Sequence, residues 1–180
     1  MTPETADLPE YVLDGASFYD LAGFFTAITR TLGVPSWGRN LDAFNDILRG
    51  GFGTPDGGFI LRWANSELSA ERLGWLETIR FLERKLTTCH PANITSVQAD
   101  LAAAHREEGQ TLFEIILSII RAHGPGGAES EDNVHLSLAL VGSGFVHETP
   151  ADAPQSMGRG ETPDSGRRRL PMLASPPETR

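Results

Sequence analysis

The sequence predicts an α/β domain, a small three-stranded parallel sheet packed by helices. Three observations predict it. Short apolar runs of strand length occur at Tyr11-Val12-Leu13, at Phe59-Ile60-Leu61-Arg62-Trp63 and from Val134 to Val141. Turn residues bound each run, and stretches with apolar residues three and four apart lie between them. Strands divided by helices must be joined by crossovers, which makes neighbouring strands parallel.

Residues 1–9 are polar, hold two prolines and read as a flexible lead-in. The first strand stops at Asp14-Gly15. Ser17 then opens a helix in which Phe18, Leu21, Phe25, Ile28 and Leu32 share one side, and Gly33 and Pro35 end it. A short helix is expected from Asn40 to Arg49, followed by a glycine-rich turn at 50–58 that lacks the Gly-Lys-Ser/Thr ending of a phosphate loop. After the central strand, one long helix over 69–88 carries Leu73, Leu76, Ile79, Leu82 and Leu86 inward. A further helix runs from about Asn93 to Glu108, marked by Ile94, Val97 and Leu101. Thr111 and Glu114 form a capping box for a helix reaching His123, whose interior is apolar nearly all round and therefore buried on most sides. The last strand alternates Val134, Leu136, Leu138 and Leu140 with His135, Ser137 and Ala139. From 145 to 180 the chain turns to Pro, Gly, Ser and charge, and is expected to be disordered. The domain thus spans 10–144.

Composition narrows the function. The formal charge is −9. From position 147 onward five acids (Glu148, Asp152, Glu161, Asp164, Glu178) balance five arginines (Arg159, Arg167, Arg168, Arg169, Arg180), so the excess of acid belongs to the folded part. An acidic globule disfavours nucleic acid and anionic membrane as partners and favours a basic protein or a cation. The single cysteine, Cys89, forms no internal disulfide, and no apolar stretch is long enough to span a membrane. The first residues are neither basic nor apolar, so a cytoplasmic protein is expected. Five scattered histidines and one cysteine show no ligand spacing, and no dinucleotide fingerprint follows the first strand. No metal and no cofactor are expected.

The segment from Trp37 to Leu48 is the candidate site. At about 100° per residue, Leu41, Phe44 and Leu48 fall on one side of the short helix, with Asp42 and Asp46 almost opposite. A helix with a dry back and two aligned carboxylates in front suits presentation of negative charge to a basic partner. Trp37, beside a glycine turn, fits a core role or a contact role equally; Trp63 and Trp75 read as core anchors.

These residues resemble the barstar family of intracellular ribonuclease inhibitors. The resemblance rests on the strand ending Leu13-Asp14-Gly15, the helix to Leu32, and above all Trp37-Gly38-x-Asn40-Leu41-Asp42-Ala43-Phe44-x-Asp46. It extends to the strand Phe59 to Trp63, the segment Arg121-Ala122-His123-Gly124 and the closing strand, covering 11–66 well and about 110–141 loosely. The resemblance implies a barstar-like fold and a partner that is a basic ribonuclease or another secreted nuclease or toxin. It implies that Asp46 takes the place of a substrate phosphate among the enzyme's basic residues and that Asp42 flanks it. Trp37, Gly38 and Asn40 would form the contacting loop, and Asn45 completes the partner-binding set. Here Ser36 stands where the family has an aromatic residue, and Ile119-Ile120 where its last helix offers an acidic contact. Arg39 and Arg49 lie near Asp46, and the stretch 67–108 reads as an extra helical insertion. On this reading the chain is not an enzyme but an immunity-type inhibitor. Two other readings are a small hydrolase using Asp42 and Asp46 as acid and base, and a non-catalytic scaffold or regulatory module of the same fold.

Overall fold

A computed structural model describes residues 7–51 and 53–140. The chain divides into two units, Met1–Phe145 and Val146–Arg180. The second unit, with the stretch 145–180 expected to be disordered, lies outside the described residues, as does Val141 of the expected last strand.

Three strands, β1 (Glu10–Asp14), β2 (Phe59–Ala64) and β3 (Val134–Leu138), form one parallel sheet in the order β1-β2-β3. The expected sheet is therefore present, with β2 central. Its register pairs Leu13 with Trp63 and Trp63 with Leu138, while Phe59 pairs with Val134. Alternation sends Leu13, Phe59, Leu61, Trp63 and Val134 into the core. Glu10, Val12, Asp14, Arg62 and Ser137 face the other way and are exposed. Helices thus cover one face, and the open face carries an Arg62–Glu10 ion pair with Nε 2.8 Å from Oε1.

Helix α1 spans Leu21–Leu32, and its first residue corrects the expectation of a start at Ser17. Gly15–Ser17 instead form a 3-10 turn, closed by Asp14 Oδ1 accepting from the Ala16 amide. The Ser17 hydroxyl donates back to the Asp14 carbonyl, so it is not available to cap a helix. Asp20 is the cap, its Oδ1 accepting from the Gly23 amide at 2.7 Å. Gly33, at φ +69, ends the helix in the left-handed conformation.

Helix α2 (Leu41–Leu48) follows, and beyond β2 come α3 (Ser66–Arg72) and α4 (Trp75–Thr88). The single helix expected over 69–88 is broken at Leu73-Gly74. Leu73 is fully buried in the main core, and its carbonyl leaves the helical ladder to accept from the Phe113 amide at 3.0 Å. The Thr78 hydroxyl accepts from the Leu112 amide at 2.7 Å, so the helix that opens at Leu112 docks its first turn at this break. The break also turns Leu76 outward: it is 65% exposed, not inward as its spacing suggested. Helix α5 (Ile94–Ala104) and helix α6 (Leu112–Ala122) complete the set, the latter with the expected Thr111–Glu114 capping box.

The main core unites the inner sheet face with α1, α2 and α6, and Trp63 lies at its centre, fully buried and stacked on Phe24. Its indole N–H donates to Ser69 Oγ at 2.9 Å, which leaves the buried polar edge satisfied. A second, smaller cluster of Leu82, Val97 and Ala104 joins α4 to α5, with Trp75 packed against it. No described helix is long and apolar enough to cross a membrane.

Candidate binding surface

The candidate segment is held by local chemistry that explains its residue order. Asn40 is the N-cap of α2, its Oδ1 accepting from the Ala43 amide at 2.8 Å. A side-chain carbon added to Gly38 would stand 3.0 Å from Ala43 Cβ and 3.1 Å from Asn40 Nδ2. Glycine at 38 and alanine at 43 therefore let the loop lie tightly on the first helical turn. Arg39, between Gly38 and the cap, has φ +46, a left-handed conformation that costs a non-glycine residue about 1–2 kcal/mol. Arg39 is exposed.

Trp37 is half-buried. Its ring meets Phe25 edge-on at 5.4 Å and lies 6.4 Å from Phe44, and its indole N–H donates to Thr29 Oγ1 at 2.8 Å. It anchors the loop on α1 and leaves part of its surface to solvent.

Within α2, Phe44, Ile47 and Leu48 are buried and Leu41 is half-buried, forming the expected dry back. Asp42 and Asp46 are exposed. Among the described residues the Asp42 side chain has no hydrogen bond or ion pair, and the Asp46 side chain has only Arg49, with Nη1 at a loose 3.9 Å from Oδ1. Arg49 directs its close contact elsewhere: Nε donates to Glu129 Oε2 at 2.7 Å. That hydrogen bond holds the Glu129 carboxyl below its ordinary value and raises the Arg49 guanidinium above its own.

Asn45 faces a different neighbour. Its Oδ1 lies 3.0 Å from Nε2 of His123, a fully buried histidine after α6, whose Nδ1 lies 2.6 Å from Asp132 Oδ2. The chain Asn45–His123–Asp132, with Arg49–Glu129 beside it, fixes α2 to the segment following α6. His123, Glu129 and Asp132 also form the one group of metal-type ligands among the described residues. Each of the three already has a partner within the protein. The supporting residues escaped sequence reasoning because Asn45 and His123 are 78 positions apart. The only available signal was the Arg121-to-Gly124 segment.

An open groove of about 1150 Å³ runs beside α2, with Asp42 and Asp46 on one wall and α4 on the other. Neither carboxylate has a serine, histidine or cysteine within hydrogen-bond reach among the described residues.

A family model described as "Barstar (barnase inhibitor)" matches residues 8–111, taking in β1, α1, the candidate loop, α2, β2 and the helices up to the N-cap of α6. The chain belongs to the barstar family. Comparison with the curated proteins gives no match.

Proposed function

We propose that this chain is a non-catalytic inhibitor that binds and blocks the active site of a basic ribonuclease or related nuclease toxin. Its role would be to protect the cytoplasm of the cell that makes it. The observation that carries the reading is the state of α2: Asp42 and Asp46 stand exposed on a helix capped by Asn40 and tied behind through Asn45 to His123. A catalytic site made to hold phosphodiester oxygens with arginine, lysine and histidine accepts carboxylates in the same geometry. A rigid helix loses little freedom on docking, which limits the entropy cost. The binding set is Trp37, Gly38, Asn40, Asp42, Asn45 and Asp46. In it Asp46 and Asp42 supply charge, Asn40 and Gly38 set the loop, Trp37 supplies apolar area, and Asn45 acts by holding the helix. Membership of a family described as barnase inhibitors supports the partner class.

The test is inhibition of a panel of basic secreted microbial ribonucleases, barnase among them, at low and high salt. Wild type should inhibit at least one, with affinity falling as salt rises. Asp46→Ala should weaken that inhibition by about a hundredfold or more, because the enzyme's cationic site is left without its counter-charge, while the fold stays intact. Undiminished inhibition by Asp46→Ala, or no inhibition of any panel enzyme, overturns the reading.

A further inference from the structure

The groove beside α2 has a second wall that belongs to α4, and the two walls differ in charge. Asp42 and Asp46 face it from α2, where Arg39 is the only cation in the lining; Arg84 and Lys85 face it from α4. Arg84 is held by Glu77, with Nη2 3.1 Å from Oε1. Lys85 is exposed, has no anionic partner among the described residues, and rests 5.8 Å from the Phe81 ring. Asp20, whose carboxylate caps α1 through the Gly23 amide, also lines the groove; Glu77, the acid that α4 contributes, is buried, paired with Arg80 and Arg84, and accepts from the Leu21 amide. It therefore does not neutralise Lys85.

Between the walls the lining is apolar. Phe81 of α4 and Ile115 and Ile119 of α6 are each only half-buried there. Ile119 belongs to the pair Ile119-Ile120 that stands where the family resemblance led one to expect an acidic contact. At about 1150 Å³ the trough exceeds the roughly 300–1,000 Å³ of a small-molecule pocket, and it is open along its length. Its size suits a protein segment.

We propose that this groove is the second half of the partner surface. The ribonuclease whose basic residues meet Asp42 and Asp46 seats an apolar side chain between Phe81, Ile115 and Ile119 and sets an acidic side chain against Lys85. The inference rests on the proposed inhibitor reading, and charge complementarity selects the occupant. A wholly basic surface would meet Lys85 with like charge, and a wholly acidic one would be repelled by Asp42 and Asp46. An enzyme that is basic at its active site and acidic beside an apolar anchor satisfies both walls.

The experiment uses the full chain and whichever ribonuclease of the panel wild type inhibits. Ala22→Trp fills the groove from an exposed position on α1 without removing any core atom, and Lys85→Glu reverses the charge at an exposed position on α4. Each should weaken binding by about ten-fold or more, with unfolding midpoints unchanged. If Asp46→Ala abolishes inhibition while both groove variants bind as wild type, the groove is outside the interface; this inference fails and the inhibitor reading survives. If no panel enzyme binds, or Asp46→Ala is silent, the inhibitor reading fails and takes this one with it. Sedimentation of the protein alone checks the other occupant: self-association abolished by Ala22→Trp would assign the groove to a second copy and overturn the proposal.

Discussion

Arg49 and Glu129, 80 positions apart in the chain, are joined at 2.7 Å, whereas Asp46, one turn before Arg49, stands 3.9 Å from the same guanidinium. Arg49 thus makes its close contact with Glu129 and only a longer ion pair with Asp46. The arrangement has a pH signature. The Arg49 hydrogen bond holds the Glu129 carboxyl below its ordinary value of 4.5. The folded state therefore takes up that proton less readily than the unfolded state. The stabilisation is complete above the ordinary value and disappears as pH falls through the lowered one. Urea titrations of wild type and Arg49→Ala should differ constantly above the ordinary carboxyl value and converge as pH falls through the lowered one. A gap that stayed constant into acid would show that the pair does not contribute in this way.

The cap of α2 makes a separate prediction. Asn40→Ala should cost about 1 kcal/mol of stability through the lost Ala43 hydrogen bond, read from denaturant midpoints. Gly38→Ala should cost about 1–3 kcal/mol, since its new methyl group must push Ala43 and Asn40 aside. An unchanged midpoint in Gly38→Ala would mean that the loop yields freely, and that its order is not imposed by the tight fit.

His123→Ala removes the group between Asn45 and Asp132 and leaves both of these half-buried side chains without it. The loss should be about 1–3 kcal/mol, the range for taking away one partner of a buried hydrogen bond. Amide hydrogen exchange would tell more than the midpoint: α2 should lose protection while β1 and β2 keep theirs. Equal loss across the sheet would remove His123 from any special link to α2.

Arg72 organises the turn before α1. Its Nη1 lies within reach of the Gly15, Ala16 and Phe18 carbonyls at 3.0, 3.1 and 2.7 Å, and its guanidinium covers Tyr19 at 4.1 Å. Arg72→Ala should lower stability by about 2–3 kcal/mol, as expected for a hydrogen bond to a charged donor together with lost cation–π contact. Arg72→Lys should recover only part, because an ammonium lacks the planar fork. Full recovery by lysine would reduce the contribution of Arg72 to simple charge.

The sequence carried the sheet, α1, α2 and α6 plainly, because each depends on local periodicity and on caps such as the Thr111–Glu114 box. It misplaced what depends on competition between neighbours. Ser17 looked like a cap, but Asp14 and Asp20 take the two available amides. The apolar spacing through Leu73 and Leu76 looked continuous, but the chain breaks at Gly74 so that α6 can dock, and Leu76 is left outside. In the candidate segment, the exposed aspartates were visible from helical geometry alone. The brace behind them was not, since no local pattern joins Asn45 to a histidine 78 positions away.

The small apolar cluster shared by α4 and α5 is distinct from the one beneath the sheet, with Phe81 packed against both. A hairpin seated on its own few side chains tolerates changes to its outward residues without disturbing the strands. On the proposed inhibitor reading, one rim of the trough is thereby free to change which enzyme is accepted, while the helix with the paired aspartates is left untouched.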